Sequence, residues 1–442
     1  MTALVAAAAF LLTFLPLIVF HELGHYAVAR WCGVHVERFS IGFGKPFWRY
    51  RRSAGATEWV LAPIPLGGYV LLRDSRNAPA AAPAPALPGD LACTSPWQRM
   101  AISAAGPAAN VLLAVLLLAT LFIGGAPGAD PTLGTVQFGT PAYRAGLQRG
   151  DRIVAVGQRP VRSWDELQRA LLPTLAASGR SDLTVEVDGG RAQRTLLAGQ
   201  GAPDGGADAM SALGLYVWRQ PAVVDTLDRG GPAAKAGVLV GDEVWSVYGT
   251  RTLDATEVIA RIRPAAGEYV KMTLRRGAGL VDVVFVAARD ADGNGKAGIG
   301  LRSEPRWTTV RYGPADAILL ALQRSWQMLA AMATMLGQMA VGLVSLGLLS
   351  GPIGVAQEAG RMASMGLAQG VMFAAAMSLN LALVNLLPLA ALDGGAVVGA
   401  ALEAARGKPP SARALRAARL CGMLVLALLF GIATFNDLGR LG

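Results

Sequence analysis

Four long apolar segments divide the chain into regions with different residue patterns. The first, 4–20, carries no charged residue, and three more cover about 97–123, 367–389 and 420–435. About 20 consecutive apolar residues form a helix long enough to cross a bilayer. The pattern predicts a multi-span α-helical membrane protein with four transmembrane helices.

Residues 34–76 follow the first span and alternate as short strands do. The stretch 34–39 alternates, Gly42-Phe43-Gly44 interrupts it, and strand-like segments follow at 58–61 and 69–72. We predict a small membrane-associated β-sheet whose edge near Gly42 and Gly44 binds an unwound substrate. A hairpin that serves only packing is the alternative on the sequence alone.

Residues 130–305 have no apolar run of membrane length but contain an internal repeat. Pro-Ala-x-x-Ala-Gly-hydrophobic-x-x-Gly-Asp occurs at 141–151 and again at 232–242, an offset of 91 residues. The copies resemble two tandem PDZ domains, which are β-rich α+β folds. Each copy has a turn, Leu133-Gly134-Thr135 or Leu213-Gly214-Leu215, whose amides can capture a terminal carboxylate. A merely structural or steric role for the grooves is the alternative.

The expected order of elements follows from these patterns. It comprises a first transmembrane helix (1–33), the sheet region (34–76), an Ala/Pro-rich loop (77–96), a second transmembrane helix (97–124), two PDZ domains (130–210 and 211–305), an amphipathic helix and loop (314–366), a third transmembrane helix (367–395), a loop (402–419) and a fourth transmembrane helix (420–436).

Composition and charge support a membrane protein and orient it. The chain is 53% hydrophobic and 16% charged, with a mean hydropathy of +0.41, which is too apolar for an ordinary soluble protein. The net charge is +10, and the basic residues cluster beside the spans. They do not form a basic face that would favour nucleic-acid binding. Basic residues dominate 30–99 and 402–419, so we expect both segments to be cytoplasmic. A fifth span at 314–349 would put the basic segment 402–419 outside, so we expect 314–349 not to cross the membrane and 125–366 to be extracytoplasmic.

The motif His21-Glu22-Leu23-Gly24-His25 ends the first apolar segment. On a helix, His21 and His25 project from one face and can bind one zinc ion together. Glu22 lies beside them, where its carboxylate can take a proton from a metal-bound water. A chance match is disfavoured, because only three histidines occur in 442 residues. His35 lies on a strand-like stretch and is not expected to be a ligand.

Asp393 is the expected third ligand. Catalytic zinc sites use three protein ligands and leave a fourth position for water, and the charge-based topology puts Asp393 at the depth of the two histidines. Gly394 and Gly395 permit the backbone to leave the helix there. A plain Asp-Gly-Gly turn is the alternative. Asn110, in the second span, either contacts a bound chain or packs helices together.

Together these motifs resemble the site-2 proteases, a family of intramembrane zinc metalloproteases. The resemblance covers nearly the whole chain and rests on the His-Glu-x-x-His motif, Gly42-Phe43-Gly44, Gly106-Pro107 with Asn110, the PDZ-like copies, and Asn385-Leu386-Leu387-Pro388 before Leu392-Asp393-Gly394. It implies one Zn²⁺ per chain held by His21, His25 and Asp393. It implies Glu22 as the base and Asn385 as a residue that holds the substrate helix unwound. Relatives often have His after the double glycine, where this chain has Ala396.

The resemblance also implies partners and location. The substrate would be a single-span membrane protein, such as an anti-sigma factor trimmed by a first protease, or a remnant signal peptide. The location would be the bacterial inner membrane, in contact with lipid, with the active site near the cytoplasmic face and the PDZ domains in the periplasm. Two other functions remain open on the residues: a zinc transporter, disfavoured because the halves of the chain do not repeat, and a PDZ adaptor with an inert metal site.

Overall fold

The computed structural model describes residues 3–75, 87–187, 189–198, 209–290, 292–409 and 411–441. Most of the expected Ala/Pro-rich loop, at 76–86, lies outside these residues. The described chain forms two compact units, one from residues 1–126 and 311–442 and one from 127–310.

The helices and strands alternate in blocks along the chain. The α-helices are α1 (Ala3–Trp31), α2 (Pro96–Gly124), α3 (Pro141–Arg144), α4 (Trp164–Ser178), α5 (Ala209–Ala212), α6 (Pro232–Lys235), α7 (Ala255–Ile262), α8 (Pro314–Ala340), α9 (Pro352–Ser364), α10 (Leu367–Asn385), α11 (Asp393–Arg406) and α12 (Ala412–Leu441). The strands are β1 (Val36–Phe43), β2 (Trp48–Tyr50), β3 (Glu58–Leu61), β4 (Ile64–Leu72), β5 (Ala126–Ala129), β6 (Arg152–Val156), β7 (Arg159–Pro160), β8 (Arg180–Val187), β9 (Gly190–Leu197), β10 (Val223–Leu227), β11 (Glu243–Val247), β12 (Thr250–Arg251), β13 (Tyr269–Arg276), β14 (Gly279–Val286), β15 (Ala288–Arg289), β16 (Gly295–Lys296), β17 (Ile299–Arg302) and β18 (Trp307–Val310).

Four helices of the first unit, α1, α2, α10 and α12, are long and apolar enough to cross a membrane. This confirms the four apolar segments expected from the sequence. The expected third span, 367–395, is interrupted, because α10 ends at Asn385 and α11 begins at Asp393. Pro388 lies in the break, where a residue without an N–H cannot continue the helical hydrogen bonds.

The region expected to be one amphipathic helix and loop, 314–366, forms the two helices α8 and α9. The α8 residues Ala317 and Ala321 are fully buried. Ala321 belongs to an apolar cluster with Leu118 of α2 and Leu379 of α10. Small residues let helices approach closely, so α8 packs within the helical bundle of the first unit.

The sheet of the first unit has the strand order β2-β3-β1-β4 and packs on α1. Tyr26 of α1 contacts the rings of Phe39 and Trp59, with centroid distances of 5.9 and 5.4 Å. The expected edge near Gly42 and Gly44 is not an edge, because β1 pairs with β3 on one side and β4 on the other. Gly42 has φ +87°, and a Cβ there would lie 2.5 Å from the Ala62 carbonyl oxygen. The glycine therefore permits an irregular end to an interior strand, and the free edges belong to β2 and β4.

The second unit contains two modules with corresponding elements. The first has a sheet ordered β7-β6-β8-β9 with α4, and the second has a sheet that includes β14-β13-β11-β10-β17 with α7. In each copy of the repeat the aspartate accepts a hydrogen bond from the backbone three residues earlier, Asp151 from Gln148 at 2.9 Å and Asp242 from Leu239 at 2.8 Å. The Arg276 guanidinium also holds the pKa of Asp242 below its usual range.

The turn Leu213-Gly214-Leu215 belongs to the first module, which corrects the expected boundary at 210/211. Both leucines are 1% exposed and lie in the first module's core with Leu133. The Ala142 N–H donates to the Leu213 carbonyl at 2.9 Å, and in the second module the Ala233 N–H donates to the Ala297 carbonyl at 3.0 Å. The corresponding turn of the second module is therefore Ala297-Gly298-Ile299, with Gly298 at φ +73° and Gly214 at φ +78°. The chain returns to each module after its last hairpin, β8–β9 in the first and β13–β14 in the second, and local spacing does not show that return.

Candidate metal centre

Three side chains from two helices converge at one point of the first unit. His21 and His25 lie one turn apart on α1, and Asp393 is the first residue of α11. Asp393 Oδ2 lies 3.1 Å from His21 Nε2 and 3.4 Å from His25 Nε2, and the two Nε2 atoms are 3.2 Å apart. Among the described residues, this trio forms a metal-ligand cluster.

The triangle of donor atoms has the size that zinc requires. Zinc binds His nitrogen and carboxylate oxygen at about 2.0–2.2 Å with tetrahedral geometry, so neighbouring donors are about 3.3–3.5 Å apart. The three observed separations, 3.1, 3.2 and 3.4 Å, are close to that value. Two imidazoles and a carboxylate also leave one tetrahedral position open, as in catalytic zinc sites. The residues present therefore fit the metal.

Helix α2 forms the wall behind the two imidazoles. The Ile102 carbonyl lies 2.7 Å from His25 Nδ1, and the Asn110 amide nitrogen lies 3.3 Å from His21 Nδ1. Between them, a Cβ on Gly106 would stand 2.3 Å from His25 Nε2 and 2.7 Å from His21 Nε2. Gly24 permits the same close approach on α1, because a Cβ there would lie 2.3 Å from the Ala105 carbonyl oxygen.

Of the two roles considered for Asn110, contact with a bound chain or helix packing, its position favours packing. The residue is 0% exposed and its amide faces His21. Its backbone carbonyl accepts a hydrogen bond from Ser378 of α10 at 2.8 Å. Asn110 thus has no exposed surface with which to touch a substrate.

Asp393 reaches the histidines because the chain turns sharply after α10. A Cβ on Gly394 would lie 2.2 Å from the Leu386 carbonyl oxygen, and one on Gly395 would lie 2.2 Å from that of Leu389. Only glycine fits such close backbone contacts. Farther along α11, Glu403 forms a 2.7 Å ion pair with Arg99 of α2. The glycine turn and this ion pair together fix the helix that begins with Asp393.

Glu22 lies between the cluster and the edge strand β4. A Cβ on Gly68 would lie 3.0 Å from Glu22 Cγ, so a side chain there would crowd the carboxylate. The strand edge beside the expected base is therefore β4, not the Gly42–Gly44 segment. Asn385 is half-buried at the C-terminal end of α10.

Sequence reasoning named Gly106 only as part of a family motif, without a role in the site, and missed Ile102 and Gly68. The three α2 positions 102, 106 and 110 are four residues apart, so they form one stripe on the helix. That spacing was visible in the sequence. A backbone carbonyl and a glycine have no side-chain chemistry that would identify them as site residues, so their role is seen only once the positions of the two histidines are known.

The chain belongs to peptidase family M50, whose sequence pattern matches residues 9–429. It is a zinc metalloprotease of the site-2 type and a membrane protein, which confirms the enzyme class and the zinc cofactor expected from the sequence.

Relatives match over almost their full length. Regulator of sigma-E protease RseP of Salmonella typhimurium (strain 14028s / SGSC 2262) is 37% identical over 451 residues, which cover 98% of each chain. The protein of the same name from Escherichia coli (strain K12) is 35% identical over 449 residues, again 98% of each. Among solved structures, the PDZ domain of the SdrC-like protein of Listeria monocytogenes matches 19% of this chain and 87% of that one, with 23% identity and a TM-score of 0.18.

Proposed function

We propose that this intramembrane zinc metalloprotease hydrolyses a peptide bond within the transmembrane segment of single-span membrane proteins. His21, His25 and Asp393 are the zinc ligands and Glu22 is the catalytic base. The observation that carries this assignment is the triangle of three donor atoms, 3.1–3.4 Å apart, formed by an apolar helix and Asp393, with Glu22 next to the first ligand.

When held by His21, His25 and Asp393, zinc would act as a Lewis acid that polarises a carbonyl, and it would lower the pKa of a bound water to about 7. Glu22 takes the proton of the attacking water and passes it to the leaving amine. The Glu22 side chain lies beside Gly68 of β4, where a Cβ would stand 3.0 Å from Glu22 Cγ, so its carboxylate is next to the strand to which we assign the scissile segment. Ile102 and Asn110 hold the two imidazoles from the side away from the substrate.

A transmembrane helix hides its peptide bonds in its own hydrogen bonds, so the substrate must unwind before cleavage. We assign the unwound strand to the free edge of β4, where backbone pairing replaces the lost helical bonds. The side-chain amide of Asn385, at the end of α10, takes up a further backbone group. This keeps the expected sheet-edge mechanism but moves it from Gly42 and Gly44 to the strand that contacts Glu22.

We further assign the chain to the bacterial inner membrane, with the metal centre near the cytoplasmic face. The substrates are an anti-sigma factor trimmed by a first protease, or remnant signal peptides; the names of the sigma-E relatives support the former. The two modules are PDZ domains in the periplasm. The Gly214 and Gly298 turns are their sites for a peptide C-terminus, through backbone amides rather than through the buried side chains of Leu213 and Leu215.

Replacing Glu22 with Gln tests the mechanism directly. Gln is nearly isosteric but cannot accept the proton, so Glu22→Gln should keep one zinc per chain and lose cleavage of a single-span reporter by about 10²-fold or more. Asp393→Ala should lose both zinc and cleavage. Zinc is measured by elemental analysis and cleavage by gel shift in proteoliposomes. Undiminished cleavage by Glu22→Gln would exclude the protease mechanism, and full zinc in Asp393→Ala would remove that residue from the site.

Cysteine labelling tests the proposed topology. In a variant without Cys32, Cys93 and Cys421, Ala177→Cys places a thiol on the exposed face of α4, and Ser411→Cys places one before α12. A membrane-impermeant maleimide should label position 177 in spheroplasts and position 411 only after lysis. The opposite pattern would invert the assigned orientation. Position 177 is preferred over Ser181, which is 3% exposed and would not react on either side.

A further inference from the structure

We infer that Asn110 is a positioning residue of the metal centre: its side-chain oxygen accepts the Nδ1 proton of His21 and thereby keeps Nε2 free for the metal. The inference rests on the proposed ligand set, because it concerns how one of those ligands is held.

The position of His21 leaves its two ring nitrogens with different neighbours. Nε2 faces Asp393 and His25 at 3.1 and 3.2 Å, whereas Nδ1 faces the Asn110 amide at 3.3 Å. His21 is 7% exposed and Asn110 is 0% exposed, so water does not compete for Nδ1 from the Asn110 side. The Asn110 side-chain amide is therefore the polar group that His21 Nδ1 meets.

The chemistry of the metal site decides which amide atom must face His21. A neutral imidazole has one proton, and binding a metal through Nε2 puts that proton on Nδ1. An amide oxygen accepts such a proton and an amide nitrogen does not. A half-turn about the Asn110 Cβ–Cγ bond exchanges the two atoms. In its present place, Oδ1 has no hydrogen-bond partner among the described residues. After the half-turn, Nδ2 occupies that place instead. The two orientations of the amide therefore differ only in which atom faces His21.

His25 shows the same arrangement with a backbone acceptor. Its Nε2 points into the cluster and its Nδ1 donates to the Ile102 carbonyl at 2.7 Å. Ile102 and Asn110 lie two helical turns apart on one face of α2, with Gly106 between them. One stripe of α2 therefore supplies an acceptor for each histidine, and Ser378 anchors the stripe through the Asn110 backbone.

Histidine NMR gives the first readout. The chain has three histidines, His21, His25 and His35, so ¹⁵N-labelled full-length protein in detergent gives few ring signals. In the zinc-loaded protein we expect a His21 Nδ1 proton that exchanges slowly with water. In Asn110→Leu this signal should shift or vanish, while the His25 signal remains as the internal control. An unchanged His21 signal in Asn110→Leu would overturn the inference.

Zinc affinity, measured by competition with a chelator, gives the second readout. Removing a hydrogen-bonding partner of a metal ligand typically weakens metal binding by about 10–100-fold, and we expect this for Asn110→Leu and for the smaller Asn110→Ala. Asn110→Asp keeps an acceptor oxygen and should remain within about threefold of wild type, well short of the loss expected for the variants that have no acceptor.

The variants separate this inference from the ligand assignment. Wild-type affinity in both Asn110→Leu and Asn110→Ala, or an Asn110→Asp protein as weak as these, would overturn the positioning role while leaving the ligands intact. Full zinc in His21→Ala would instead show that His21 is not a ligand, and the inference would fall with the proposed site.

Discussion

At the scale of single residues, the metal centre depends on a missing side chain as much as on the side chains present. Gly106 lies against both imidazoles, and the nearest Cβ contact would be 2.3 Å, far inside van der Waals distance. The neighbouring atoms are the two Nε2 nitrogens that we propose bind zinc, and the other nitrogens of the two rings face Ile102 and Asn110. Neither imidazole can move away from a Cβ at position 106 without losing its contact with Ile102 or Asn110.

We therefore expect Gly106→Ala to weaken zinc binding by at least about 10-fold, the loss typical of misplaced metal ligands. The helix itself should not suffer, because Ala is a better helix former than Gly by about 0.8–1 kcal/mol. Gly370→Ala on α10 is the matched control, since a Cβ there meets nothing within 4 Å. Chelator competition measures the affinity. Wild-type affinity in Gly106→Ala would mean that α1 and α2 separate easily and that the close packing is not required.

At the scale of elements, the sequence was most informative where the geometry is local. Two histidines four residues apart on an apolar helix must share a face, so the pair could be read from spacing alone. Asp393 required a further step, a count of ligands and a matching depth, and the structure brings it within 3.1 Å of His21. The four apolar helices follow from length and composition.

The elements that the sequence misplaced depend on pairing between distant segments. Gly42 and Gly44 mark an irregular strand end, but whether that strand is an edge depends on β3 and β4, which follow it in the chain. Leu213 and Leu215 look like the start of the second repeat, yet they complete the core of the first. In both cases the residue pattern was interpreted correctly as a strand or turn, and the partner could not be deduced from spacing.

At the scale of the whole molecule, the second unit is an insertion in the membrane bundle. The chain leaves through β5 and returns through β18, and these two strands pair with each other. After β18, the Tyr312 N–H donates to the Phe122 carbonyl in the last turn of α2, at 3.0 Å. Both ends of the insertion thus pass through one short ribbon, so the insertion can be removed without breaking the helices.

We further propose that the two modules exclude substrates by size, and this connection makes the proposal testable. If the modules act in this way, they exclude a substrate that carries a bulky outer domain and admit a trimmed one. Steric exclusion needs only bulk, which both modules supply.

Deleting 130–305 joins positions 129 and 306. These positions are already close together, because the Asp130 N–H donates a 2.7 Å hydrogen bond to the Arg306 carbonyl. The shortened protein should cut an untrimmed single-span reporter that the full chain leaves intact, and should cut the trimmed form about equally well. If it holds one zinc per chain and cuts the trimmed reporter but not the untrimmed one, the modules do not act as a size filter. Selective loss of cleavage of the trimmed form would instead favour capture of its new C-terminus at the Gly214 or Gly298 turn.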